Sequence, residues 1–167
     1  DDVTDSWVSQ GKIFNPNAAS SDQFGGSVSI SGDYAIVGAY TDQENNLAGS
    51  GSATIFKRNS NTGVWESQGK LTNPNPAAYD NFGFSVSISG DYAIVGTPND
   101  DESGKTNCGS ATVFKRNTTT GVWESQGKLI NPNVENDDAF GISVSISGTQ
   151  AIVGAYLDDE FGATNSG

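Results

Sequence analysis

Carboxylates are the dominant reactive groups of this chain. Twenty Asp and Glu stand against eight Lys and Arg, for a net charge of −12. Histidine is absent and there is one cysteine, Cys108. A Ser-His-Asp relay therefore cannot be assembled, and the usual zinc and haem ligand sets are missing. The glycine-rich stretch Gly49-Ser-Gly-Ser52 lacks the lysine and the helix start of a phosphate loop. What remains is acid chemistry. Acidic residues recur as Asp42 and Glu44, then Asp100, Asp101 and Glu102, then Asp158, Asp159 and Glu160. Such groups, mixed with Asn and backbone carbonyls, suit Ca²⁺, a hard cation that prefers oxygen ligands. Paired carboxylates also serve glycoside hydrolysis. A catalytic pair is singular, however, whereas these return along the chain, so the chain is read as no enzyme. No cofactor is firmly expected, and Ca²⁺ is the one option kept open. A plainer role stands beside it: acidic loops keep a repeat protein soluble, and Asp22, Asp80 and Asp138 cap local turns.

These residues are spaced by a repeat of 58 positions. Phe24-Gly25 is followed by Ser27-Val-Ser-Ile-Ser-Gly-Asp-Tyr-Ala-Ile-Val-Gly38. The phrase returns at Phe82-Gly83 with Ser85 to Gly96, and at Phe140-Gly141 with Ser143 to Gly154. A fixed period of this size marks a repeat architecture. Within one period, Ser27 to Ser31 alternates apolar and polar residues as a strand does. Gly32-Asp33 is a two-residue hairpin turn. A second strand runs from about Tyr34 to Ala39, a third from Ser52 to Arg58, and a fourth from Val64-Trp65 to about Leu71. Gly, Ser, Asn, Thr and Asp fill the joints, as expected for short strands linked by tight turns. The expectation is an all-β fold: β-propeller blades of four antiparallel strands, about three in number, in a partial propeller or open array. Residues 1–23 hold the last strand of a preceding blade plus a connector, 24–81 and 82–139 are full blades, and 140–167 is the first half of another.

Phe-Gly, then Ser-Val-x-Ile-Ser-Gly-Asp, then Ala-Ile-Val-Gly-Ala resembles the FG-GAP repeat, the blade unit of integrin α-subunit heads and of many bacterial surface proteins. Gly38-Ala39-Tyr40, Gly96-Thr97-Pro98 and Gly154-Ala155-Tyr156 stand at the GAP position. The trailing Gly-Ser-Ala-x-x-Phe and Trp-x-x-Gln-x-Lys-Leu are similar to the bacterial-type subgroup. The resemblance implies an extracellular or cell-surface protein built for adhesion or assembly. Ca²⁺-binding integrin blades carry a long Asp-x-Asp-x-Asp-Gly loop between the FG and GAP elements. Here Ser31-Gly32-Asp33 fills that place and is too short to wrap an ion, so that calcium site is not carried over.

In an up-and-down blade the loops between second and third strands share one side of the disc with the blade-to-blade connectors. The eight loop acids above and Asp22, Asp80, Glu135, Asp137 and Asp138 in the connectors then lie on one face. Lys57-Arg58 and Lys115-Arg116 fall at the opposite end. The acidic balance argues against nucleic acid, and no apolar run is long enough to cross a bilayer. Asp1 aligns with Asn59 and Asn117, and Gly167 with Gly51 and Gly109, so the sequence runs from mid-blade to mid-blade. Three readings follow: a fragment of a longer propeller, closure or extension through copies of itself, or an isolated half-ring. Partners are accordingly further blades or further copies, with glycans or surface proteins as an alternative. The leading functional expectation is a non-catalytic extracellular scaffold; the alternative is a lectin-like module on the acidic face, with Ca²⁺ support.

Three further features complete the reading. Asn117-Thr118-Thr119 is an N-glycosylation sequon at a hairpin tip. Trp7, Trp65 and Trp123 recur in the fourth strand, placed either to stack on a sugar ring or to pack between blades. Cys108 takes the position of Ser50 and Ser166 as a small, half-buried residue.

Overall fold

The structure is a computed structural model and describes residues 6–159, 165 and 167. It contains ten strands and, among the described residues, no helix. The first blade comprises β1 (Ser27–Ser31), β2 (Tyr34–Ala39), β3 (Ser52–Arg58) and β4 (Trp65–Leu71). The second comprises β5 (Ser85–Ser89), β6 (Tyr92–Thr97), β7 (Ser110–Arg116) and β8 (Trp123–Leu129). A hairpin of β9 (Ser143–Ser147) and β10 (Gln150–Gly154) begins a third. Each blade is an antiparallel meander in chain order, and the sheets remain open.

The expected hairpin turn is present. Ser31 pairs with Tyr34, which leaves Gly32 and Asp33 at the tip, with Gly32 at φ 56°. One local feature has no counterpart in the alternation pattern. The β3–β4 register shifts between Ile55 and Phe56, so Gln68 is an extra residue and Gly69 turns to φ 132°. This bulge bends the outer strand, and Val113/Phe114 repeats it in the second blade. Residues 6–15 have the residue types of β4 but form no ladder. Among the described residues, no third strand lies beside them to take their backbone hydrogen bonds.

The principal core lies between the blades. Ile36, Ala53, Ile55 and Leu71 of the first blade pack on Phe82, Val86, Ile88, Ala93, Val95 and Phe114 of the second. Phe82 meets Phe114 edge-on at 6.1 Å. Burying each Ile or Phe here contributes about 1.5–3 kcal/mol. A second seam joins Ile94 and Ala111 to Ile146, with Val144 and Val153 against it.

The serines that alternate with these apolar residues do more than fill space. Ser27 Oγ donates to the Gly83 carbonyl at 2.8 Å. Ser29 Oγ accepts from the Ile88 amide at 3.2 Å, and Ser31 Oγ from the Gly90 amide at 3.1 Å. The next junction repeats the set. Ser85 Oγ donates to Gly141 at 2.7 Å, Ser87 Oγ accepts from Ile146 at 3.1 Å, and Ser89 Oγ accepts from Gly148 at 3.0 Å. Each first strand is thus hydrogen-bonded to the backbone of the next first strand. The recurrent glycines let that approach occur. A Cβ at Gly38 would lie 2.1 Å from the Gly83 carbonyl oxygen, and one at Gly96 would lie 1.9 Å from that of Gly141.

Candidate functional site

The loop joining β2 to β3 and the connector after β4 meet on one face. The Tyr79 amide donates to Ala48, Phe82 to Ser50, and Asn81 Nδ2 to Tyr40. The acidic residues of both segments are therefore collected there. At the other end, Arg58 donates its amide to Asp33, and Arg116 is ion-paired with Asp91 at 2.6 Å.

On the acidic face the carboxylates are engaged one blade at a time. Asp42 is buried in the loop after β2. Its Oδ2 accepts from Ser52 at 2.6 Å and from the Lys70 ammonium at 2.8 Å. The same ammonium binds Glu44. In the second blade Asp100 accepts from Ser110 and, at 2.6 Å, from Lys128, which also reaches Glu102 at 2.5 Å. Lysine thus reaches across the third strand from the fourth to bridge two loop acids. Burial works to raise the Asp42 pKa, but hydrogen bonds from Lys70 and Ser52 outweigh it and hold the carboxyl below its ordinary value. Burial likewise works to lower Lys70 and Lys128. Their acidic partners prevail and hold both above the usual lysine value.

The other predicted positions are distributed differently. Asp101 accepts from the Asn107 amide at 2.8 Å, and Asp159 from the Asn165 amide at 2.7 Å, so each closes its own loop. Asp158 is buried, and among the described residues its Oδ1 has no hydrogen-bond partner. Glu160 lies outside the described residues. Among the described residues, no three Asp, Glu or Cys side chains converge as a metal-ligand group would.

The connector acids form a distinct recurring unit. Asp22 Oδ2 accepts from Asn15 Nδ2 at 3.0 Å and from the Ala19 amide at 2.6 Å. Asp80 repeats this with Asn73 and Ala77, and Asp138 with Asn131 and Glu135. The carboxylate closes the turn from its far end, while Asn15, Asn73 and Asn131 open it as Asx turns, each accepting through Oδ1 from the amide two residues on. Burial raises the Asp80 carboxyl, against the opposing effect of the Ala77 amide.

Trp123 is half-buried and meets Tyr34 of the first blade edge-on at 6.1 Å, while the Arg116 guanidinium lies 5.1 Å above the same ring. Trp65 packs beside Ala35, Val37 and Phe56 of its own blade, and Trp7 is fully exposed. Asn117 Oδ1 accepts from the Thr119 and Thr120 amides at 3.0 and 3.1 Å. Its counterpart Asn59 does the same for Asn61 and Thr62, although it begins no sequon. Cys108 is fully buried and accepts from the Glu102 amide through Sγ, as Ser50 does from Glu44. Burial pushes its thiol pKa up.

Sequence reasoning did not single out Lys70, Lys128, Ser52 or Ser110. Their signal was present in the return of lysine at one repeat position and aspartate at another, but their contact spans 28 residues and depends on the meander. The family model described as FG-GAP repeat matches residues 7–56, 65–114 and 123–167. No curated protein matches the chain significantly.

Proposed function

The chain belongs to the FG-GAP repeat family, and from that premise we propose that it is a non-catalytic scaffold for adhesion or surface assembly, acting through blade-to-blade packing. Its repeats make a β-propeller-like module. One observation carries the reading: the polar groups that recur with the repeat are engaged in building it. First-strand serines join adjacent blades, Asp–Lys pairs tie the loops to the outer strands, and Asp–Asn pairs shape the connectors. Such groups serve architecture, and the acidic surface they leave keeps the module soluble and repels nucleic acid. An extracellular or cell-surface setting suits this role. The Trp-x-x-Gln-x-Lys-Leu endings support placement in the bacterial-type subgroup.

The test is a glycan array run with Ca²⁺ and with EDTA, beside melting curves under the same two conditions. The scaffold reading expects no saturable glycan and an unchanged melting temperature. A glycan signal abolished by EDTA and by Asp100→Ala with Asp101→Ala would replace it with the lectin reading. Stabilisation by Ca²⁺ alone would place a cation on the acidic face through linkage.

A further inference from the structure

The β3–β4 and β7–β8 hairpins are built alike and differ at one atom of their tips. Asn59 follows β3 and Asn117 follows β7. Each shapes its turn in the same way. The main-chain carbonyl accepts from the glycine that ends the turn, Gly63 or Gly121, and Oδ1 accepts from the two amides that precede that glycine. The side-chain amides are used differently. Asn59 Nδ2 donates to Glu66 Oε1 at 3.1 Å. Asn117 Nδ2 has no hydrogen-bond partner among the described residues, although Glu124 stands at the place of Glu66. Asn117 lines a groove of about 580 Å³ with Asp91, Tyr92, Lys115 and Glu124, against about 370 Å³ for the groove at Asn59. Thr118, Thr119 and Thr120 are exposed. Of all the asparagines in the sequence, Asn117 alone opens an Asn-x-Ser/Thr triplet.

We propose that Asn117 carries an N-linked glycan on Nδ2. This rests on the extracellular setting proposed above, because the acceptor triplet is modified in secreted chains. The transfer is a substitution at a sugar carbon. Nδ2 attacks the anomeric carbon of a lipid-linked oligosaccharide. A C–N bond forms, the bond from that carbon to the pyrophosphate oxygen breaks, and the displaced amide proton passes to a base of the transferase. The folded hairpin must then hold a bulky hydrophilic group at that atom, and this separates the two tips. A glycan on Asn59 would compete with the bond to Glu66. One on Asn117 breaks no hydrogen bond of the described residues. It also spares Oδ1, whose bonds to the Thr119 and Thr120 amides shape the turn. The groove beside Tyr92 gives the first sugar room to lie against the blade. The glycan sits with Lys115 and Arg116 at the end opposite the loop acids and leaves the acidic face clear.

The chain is secreted from a eukaryotic cell behind a cleaved leader and its mass is measured before and after an N-glycosidase. Wild type should exceed the 17.3 kDa of the bare chain, return to it on digestion, and yield a modified peptide containing Asn117. Asn117→Gln and Thr119→Ala should each abolish the added mass, and Thr119→Ser should keep it. Thr119→Ala leaves Asn117 and the main-chain amide bonded to it in place, so circular dichroism should report an unchanged fold for that variant. The glycosylated chain should melt no lower than the same chain made in a bacterial cytosol. A secreted, folded wild type with bare Asn117, or added mass that persists in Asn117→Gln, would overturn the site. A glycan that lowers the melting temperature by more than about 2–4 °C, the equivalent of 1 kcal/mol, would show that the fold needs Nδ2 and would overturn the placement. The leader supplies secretion, so a bare Asn117 counts against the site alone, and the scaffold reading stays with the glycan array and the Ca²⁺ melting curves.

Discussion

Replacing one serine at three equivalent positions separates the junction from the strand that carries it. Ser29, Ser87 and Ser145 occupy the same place in β1, β5 and β9. Ser29 Oγ accepts from the Ile88 amide and Ser87 Oγ from the Ile146 amide, and both acceptor bonds lie against buried isoleucines. Ser145 is exposed, and no described residue donates to its Oγ. Alanine at 29 or 87 strands an amide away from water, at a cost of about 1–3 kcal/mol. Alanine at 145 removes a solvated hydroxyl, and its effect should stay within about 0.5 kcal/mol. For a chain of this size each kcal/mol moves the melting point by about 2–4 °C, so Ser29→Ala and Ser87→Ala should melt roughly 2–12 °C lower. Ser145→Ala should melt with wild type. The assay is thermal denaturation followed by circular dichroism. Strand propensity and side-chain size change identically in all three variants. Equal losses at 87 and 145 would therefore show that the serines act within their own strand, and the hydrogen-bonded junction would be refuted.

Gly96→Ala should destabilise by roughly 1–3 kcal/mol or more, because its Cβ would meet the Gly141 carbonyl at 1.9 Å. Gly154→Ala, which meets chiefly the rotatable Ser143 hydroxyl, should cost less in the same denaturant titration. Lys128→Met leaves Asp100 buried beside Ser110 alone and should cost roughly 2–3 kcal/mol, below the ~3–5 of a fully buried pair. The raised Lys70 and Lys128 values contribute stability that is complete below the unfolded lysine value of about 10.4 and lost as pH climbs through the folded values. Alkaline unfolding should therefore begin above that pH, and Lys128→Met should flatten that limb. On the acid side the lowered Asp42 contributes stability present above an unfolded value of about 3.9 and lost as pH falls through its folded value. The raised Asp80 has the opposite sign, and stability from its protonated form fades as pH rises from the unfolded value through the folded one. Asp42→Asn should accordingly shrink the acid limb of a pH–stability curve. Cys108, buried and with its thiol pKa raised, should resist alkylation in the native state and react fully in denaturant.

The strands were legible because their signals are local. Alternation in Ser27–Ser31, the Gly32-Asp33 turn and the return of the phrase at 58 positions specify a four-stranded meander without tertiary information. The turn-capping role of Asp22, Asp80 and Asp138 was legible for the same reason, since the carboxylate binds an amide three residues before it. Long-range uses of polar groups were not. Serines of the first strand read as small spacers, and their bonds to residues 56 and 59 positions away depend on how blades stack. Loop acids read as an open cation face because the lysines that bridge them come from a strand two elements later. The β4 bulge was also hidden, since Gln68-Gly69 satisfies either a regular or a shifted register until the strand is bent over its neighbour.

Amide hydrogen exchange at three equivalent pairs tests the repeating junction most directly. In dilute solution the Ile88 and Gly90 amides, and those of Ile146 and Gly148, should exchange slowly because serines of the preceding blade hold them. Ile30 and Gly32, to which no described serine is bonded, should exchange rapidly. Equal exchange at all three pairs in dilute protein would contradict the junction itself.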